Sequence, residues 1–283
     1  VSFTEKTIEV NQWKWYYREA ETSGEKSTVV FLHGIPSHSY CWGENLSALG
    51  EKGFWAIAPD WLGTGFSDKP DKRDFAHTPD AYIKELSDFL AKLNISECFL
   101  VVQGFLGSVG IQYALRHPEQ IKGLVILNTP LSTRVKLPWT MKQWVIPLVG
   151  DMLTQDPLLV DRSLEGGSGF VISDADLAIY RQPFLKSSDV GRSLMAIIKN
   201  LQLPQAMTEL ETGLPNWKQP TLIIWGMEDP WLSGDDAEKL ASQENIKLVK
   251  LEEAKHYPQE HWGKEINNAL LRFLTSLSSI HSS

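Results

Sequence analysis

CFLVVQGFLGSVGIQYALRHP, Cys98 to Pro118, opens on an unbroken apolar run, passes through a glycine and continues with small and apolar residues. A short apolar run ending at glycine reads as a buried strand, and the small residues after it let a helix pack closely against its neighbours. The stretch therefore predicts a strand, a sharp turn and a helix, the local context in which a reactive side chain is held on a strained turn. The residue at that turn is Gly104, which has no side chain to attack with. Its successor Phe105 still offers a backbone amide as an oxyanion donor. Gly104 thus marks a vacant nucleophile position.

Other segments complete the frame on either side. FLHGIPSHSYCW (Phe31 to Trp42) follows the apolar run TVVFL, and its HGIP sets the Ile35 amide where a second oxyanion donor belongs. APDWLGTGFSDKP (Ala58 to Pro70) follows FWAIA. LIIWGMEDPWL puts Asp229 just past a strand end, and KLVKLEEAKHYPQEHW puts His256 past the next. Turn, acid and histidine occur in the order of an α/β-hydrolase triad. Glu228 competes with Asp229 for the acid, but the G-x-x-D spacing from Gly226 favours Asp229.

Taken together, these five segments resemble the α/β-hydrolase superfamily, in particular its haloalkane dehalogenase and epoxide hydrolase branch, over nearly the whole chain. The resemblance implies an α/β-hydrolase fold, a doubly wound, mostly parallel sheet with a helical cap inserted after strand 6. The dehalogenase turn commonly reads V-V-Q-D-W-G-G, so VVQGFLG aligns Gly104 with the aspartate nucleophile and Phe105 with the halide-binding tryptophan. Ile35 takes the place of a halide-binding asparagine. These three departures argue against dehalogenation. The chain also looks like plastid α/β-hydrolase-like proteins of plants and algae that share the V-Q-G-F turn, which implies a plastid location. That its first residue is Val rather than Met fits a removed targeting segment or a trimmed end.

The pattern along the chain agrees with one large α/β unit. KTIEVNQWKWYYREA (Lys6 to Ala20) alternates and predicts leading antiparallel strands. Strands near 28–32, 54–58, 98–103 and 123–128 alternate with helical stretches such as PDAYIKELSDFLAKL (Pro79 to Leu93), which implies a parallel sheet with right-handed crossovers. The alternation stops after LVILNTPL and resumes at TLIIWG (Thr221 to Gly226). The expected main domain is therefore 1–130 and 217–283, with 131–216 as the cap. The tail SLSSIHSS is expected to fray.

At 283 residues and 42% hydrophobic content the chain can bury a full core, and a net charge of −8 without a basic cluster disfavours nucleic acid and anionic membrane surfaces. No apolar run approaches the roughly 18 residues of a spanning helix. Cys41 and Cys98 lack metal-ligand spacing and fit a reduced compartment. No metal and no cofactor is expected.

The expected chemistry rests on His256 as a general base with Asp229 fixing its tautomer, beside an amide pair from Ile35 and Phe105. His33 reads as a loop-building residue, and Asp60 as an organiser of loops. The aromatic residues Trp139, Trp144, Phe170, Tyr180 and Phe184 of the cap are candidates for an apolar binding wall. The ADLAIYRQPF stretch around Tyr180 resembles dehalogenase cap sequence. The expected ligand is a mostly apolar small molecule, acted on without a covalent intermediate by isomerisation, elimination, cyclisation or direct water attack. Two alternatives stand beside it: a small-molecule receptor that has lost turnover, and a hydrolase with a nucleophile displaced to Ser108 or Ser67. Asn128 ends a strand where some relatives carry the triad acid, but a neutral amide cannot replace a carboxylate.

Overall fold

The computed structural model describes residues 3–20 and 27–278. Part of the tail expected to fray, 279–283, lies outside the described residues, as does Val1. Eight strands form one sheet in the order β1-β2-β4-β3-β5-β6-β7-β8. β1 (Thr4–Val10) and β2 (Trp13–Ala20) pair antiparallel, and β2 pairs antiparallel with β4 (Trp55–Pro59). The turn between the first two strands has Asn11 at φ 55, a left-handed conformation that asparagine tolerates in tight hairpins. β3 (Thr28–Leu32), β4, β5 (Cys98–Gln103), β6 (Ile121–Leu127), β7 (Thr221–Gly226) and β8 (Ile246–Leu251) run parallel.

The central strands are apolar on both faces because each face is covered by helices. Val30, Leu32, Leu100 and Val102 join one core cluster, with Leu86 and Phe89 of α2 (Pro79–Lys92) and Val109 and Tyr113 of α3 (Gly104–Arg116). Their strand neighbours Val29, Phe31, Phe99 and Val101 join the other, with Leu46 and Leu49 of α1 (Gly43–Glu51) and Leu270 and Leu274 of α11 (Gly263–Ser278). The period of two along each strand divides the core between the two helix layers. Each such side chain contributes about 1.5–3 kcal/mol by leaving water.

Between β6 and β7 the chain leaves the sheet for six helices: α4 (Trp139–Lys142), α5 (Val149–Gln155), α6 (Leu158–Ser168), α7 (Asp174–Lys186), α8 (Asp189–Asn200) and α9 (Leu203–Gly213). It then returns through β7, α10 (Gly234–Leu240) and β8. Since β3 and β5 to β8 are parallel, the loops holding Ile35, Gly104, Asn128, Asp229 and His256 all leave the same edge of the sheet, where ligands of open α/β folds bind. Among the described residues no helix is long and apolar enough to cross a membrane.

Candidate active site

β5 is buried along its whole length and stops at Gln103, after which Gly104 opens α3 with φ +75. That left-handed conformation suits glycine and strains any other residue. The Gly104 amide donates to the Asn128 carbonyl at 3.2 Å. The Phe105 amide comes next in the first turn of α3, where helix N–H groups have no intrahelical acceptor. A Cβ built on Gly104 would stand 3.1 Å from Gly34 Cα and 3.8 Å from His256 Nε2. The missing side chain would therefore have pointed at the histidine.

The fit is tight on the other wall too. A Cβ on Gly34 would come within 2.6 Å of Gln103 Oε1 and 3.0 Å of the Gln103 carbonyl, so only glycine lets the HGIP loop lie against the β5 turn. His33 anchors that loop: its Nε2 accepts from the Trp61 amide at 3.2 Å, while its Nδ1 lies 2.7 Å from the Gly34 carbonyl. Burial pushes the His33 imidazole below its usual pKa, which keeps it neutral and able to accept. Asp60 accepts from the Ser39 and Phe66 amides, each at 2.7 Å, tying two loops together.

His256 and Asp229 side chains are both fully buried, and His256 Nδ1 donates to Asp229 Oδ2 at 2.8 Å. Three further donors hold the same carboxylate. The amides of Trp231 and Leu232 reach Oδ1 at 2.8 and 3.1 Å, and Asn128 Nδ2 reaches Oδ2 at 2.8 Å. Asn128 is itself fixed by Gly226, accepting from its amide at 2.8 Å and donating to its carbonyl at 3.1 Å. The histidine backbone is held at both ends: its amide donates to the Gly167 carbonyl of α6 at 2.9 Å, and its carbonyl accepts from Gln103 Nε2 at 2.7 Å. The ring stands among Trp231, Tyr257 and Phe105, with centroids 4.6, 4.8 and 5.7 Å away. Tyr257 also donates to the Ile35 carbonyl at 2.8 Å, joining the histidine loop to the HGIP loop.

With Nδ1–H committed to a carboxylate, the neutral ring carries its lone pair on Nε2. Nε2 is buried and has no hydrogen-bond partner, an arrangement that costs free energy unless a ligand uses it.

The candidate residues of the sequence fall in several places. His256, Asp229, Gly104, Phe105 and Ile35 come together at the strand ends. The five aromatic candidates of the helical segment are dispersed: Trp144 is buried in the core, Phe184 is half-buried against it, and Trp139 is 66% exposed. Phe170 is exposed and packs on His261, with centroids 5.0 Å apart. Tyr180 is buried, but its hydroxyl is spent on Glu260 Oε1 at 2.7 Å. A matching bond in the opposite sense, Tyr40 to Asp176 at 2.6 Å, joins the loop after HGIP to α7. Burial pushes the Glu260 carboxyl up to about 7. The hydroxyls of Ser108 and Ser67 donate to the carbonyls of Phe105 and Asp60, each at 2.7 Å.

Sequence reasoning passed over Gln103, Trp231, Tyr257 and Gly167. The first three adjoin or nearly adjoin Gly104, Asp229 and His256, and that adjacency was the available signal. Gly167 carried none. Among the described residues no cluster of His, Cys, Asp and Glu could hold a metal, and both cysteines are free and buried.

Comparison with known proteins follows the same lines. A family model for the alpha/beta hydrolase fold matches residues 27–261. The cis-3-alkyl-4-alkyloxetan-2-one decarboxylase of Shewanella oneidensis is 32% identical over 228 residues, covering 73% of this chain and 68% of that protein. The haloalkane dehalogenase of Bradyrhizobium diazoefficiens is 24% identical over 290 residues, covering 93% and 92%. Among solved structures, haloalkane dehalogenase DbeA from Bradyrhizobium elkani superposes with a TM-score of 0.88 at 23% identity, over 98% of this chain and 99% of that one.

Proposed function

Because the chain belongs to the α/β-hydrolase fold family, we propose that it is an enzyme of a mostly apolar small molecule, in which His256 activates a water and no covalent intermediate forms. The observation that carries the reading is His256 Nε2, buried and without a hydrogen-bond partner, 3.8 Å from where a Cβ on Gly104 would stand. A water held on that nitrogen would give its proton to Nε2 while its oxygen attacks an acyl carbon. The Ile35 and Phe105 amides would receive the oxyanion, and Nε2–H would return the proton to the departing oxygen. Residues 131–216 serve as the cap that keeps bulk water out.

Magnitudes set the substrate class. A positioned base contributes about 10²–10⁴ in rate and each oxyanion donor about 10²–10³. That suffices for a strained or activated acyl group. The relative from Shewanella is named for a dialkyl oxetanone, a strained lactone with two alkyl arms, and we extend that class to this chain. Carbon–halogen cleavage is outside the reading, since Gly104, Phe105 and Ile35 stand where dehalogenases resembling this chain carry aspartate, tryptophan and asparagine. The displaced-nucleophile reading loses support because the Ser108 and Ser67 hydroxyls already serve backbone carbonyls.

The test is a single turnover of a dialkyl oxetan-2-one in ¹⁸O-labelled water at protein excess. Direct attack labels the product in the first turnover, whereas attack by an enzyme carboxylate leaves that first product unlabelled. His256→Ala is expected to slow the turnover about 10²–10⁴-fold with binding nearly unchanged. A panel of oxetanones and activated esters that bind and are returned unchanged would leave a receptor in place of the enzyme.

A further inference from the structure

Asn128 is the first residue past β6, and its buried side chain reaches the end of β7. Its orientation is fixed by chemistry. The Gly226 amide can only donate, so the atom 2.8 Å from it is Oδ1, and Nδ2 is left to face the Gly226 carbonyl at 3.1 Å and Asp229 Oδ2 at 2.8 Å. The backbone of Asn128 has φ 33, in the left-handed region that asparagine tolerates. Its carbonyl accepts from the Gly104 amide at 3.2 Å. One residue thus touches the turn at Gly104, the end of β7 and the acid.

The bond to Asp229 falls on the oxygen that also accepts from His256 Nδ1 at 2.8 Å. The other oxygen accepts from the amides of Trp231 and Leu232. A carboxylate offers about four lone-pair sites, and these four donors fill them. Three of the donors are neutral and keep their protons when His256 gains or loses one. They meet part of the negative charge of Asp229, so the pair depends less on an imidazolium to balance it. The other groups packed on His256 do not share this work. Trp231 and Phe105 carry no charge, the Gly167 carbonyl only accepts, and the titratable Tyr257 spends its hydroxyl on the Ile35 carbonyl.

We propose that Asn128 is a positioning residue of the dyad: its Nδ2–H holds Asp229 Oδ2 against His256 Nδ1 and keeps His256 Nε2 free of a proton, ready to act as a base. A carboxylate in its place would present an oxygen to Asp229 and do the reverse. This role rests on the reading of His256 as a base.

The test follows His256 by nitrogen NMR in the ¹⁵N-histidine-labelled chain, its ring signals assigned by their absence in His256→Ala. In Asn128→Gly, which tolerates the backbone angle, Nε2 is expected to take up its proton about one pH unit higher than in wild type. With a dialkyl oxetan-2-one, kcat near neutral pH should fall by up to about tenfold while KM stays nearly unchanged. Asn128→Gly also deprives the Gly226 amide of its acceptor, a structural loss, so both measurements are repeated in an Asp229→Ala background. There Asn128→Gly should change neither. Asn128→Ser, one bond too short to reach Asp229, serves if Asn128→Gly misfolds. A folded Asn128→Gly whose Nε2 takes its proton at the wild-type pH overturns the proposal. An equal shift in the Asp229→Ala background also overturns it and makes Asn128 a support of the strand ends alone. The nitrogen signals need no turnover, so a wild type that returns oxetanones unchanged removes the enzyme reading while the role of Asn128 is still decided.

Discussion

Returning a side chain to residue 104 tests the geometry most directly. In Gly104→Ser the new Cβ would lie 3.8 Å from His256 Nε2, and a hydroxyl one further bond out, about 1.4 Å, falls within the roughly 2.6–3.2 Å reach of a nucleophile and its base. The turn need not be rebuilt, because residue 104 already has the φ of +75 that such turns use. Two costs follow from the same geometry. A left-handed serine is strained by about 1–2 kcal/mol, and its Cβ would sit 3.1 Å from Gly34 Cα, which must give slightly. The variant should lose about 1–3 kcal/mol of stability. It should also gain a reaction the wild type lacks. With p-nitrophenyl acetate at protein excess, intact mass should show one acetyl group, mapped to the introduced serine and formed about 10²–10⁴-fold faster than in Gly104→Ser combined with His256→Ala. A well-folded Gly104→Ser that takes no acetyl group would refute the alignment of the vacant position with the histidine. An adduct on Ser108 or Ser67 of the wild type would refute the vacancy itself.

Two further predictions use contacts away from the turn. A methyl group on Gly167 would come within 2.3 Å of the Tyr257 ring and 2.9 Å of Trp231, and the Gly167 carbonyl holds the His256 amide; Gly167→Ala should therefore cost about 1–3 kcal/mol in a thermal melt. Gly166→Ala, with nothing within 4 Å of its new Cβ, should be neutral or stabilising by up to about 1 kcal/mol, and equal losses in the two variants would contradict the packing. Burial raises the Glu260 carboxyl from 4.5 to about 7, so the folded chain holds a proton that the unfolded chain releases. The stability this proton provides is full below pH about 4.5 and is lost as pH rises through about 7. Glu260→Gln should remove that slope and raise the melting temperature relative to wild type at pH about 8, and an unchanged slope would show that Glu260 is more solvated than its contacts with Tyr180 imply.

How much of this was legible without coordinates follows from the range of the interactions. Parallel strands buried on both faces must be continuous apolar runs, so β5 and β7 could be read from the residues Cys98–Gln103 and Thr221–Gly226 alone. The turn at Gly104 and the place of His256 beyond β8 are likewise local, and the order of the segments along the chain limits the topology to few choices. Composition could not separate Trp139 from Trp144. They are five residues apart and chemically identical, and only packing makes one a solvent-facing side chain and the other part of the core. Asn128 could be excluded as an acid from its chemistry, but its grip on Asp229, 101 residues away, depends on β6 and β7 lying side by side. The Gly167 carbonyl on the His256 amide left no trace in the sequence, because a backbone acceptor is the same in every residue and only the fold decides which donor it meets. The frame and the glycine at its turn could be read along the chain, since both rest on local periodicity and residue type. What holds the histidine, and which aromatic side chains face water, depends instead on contacts between distant segments that each residue makes only once the chain has closed.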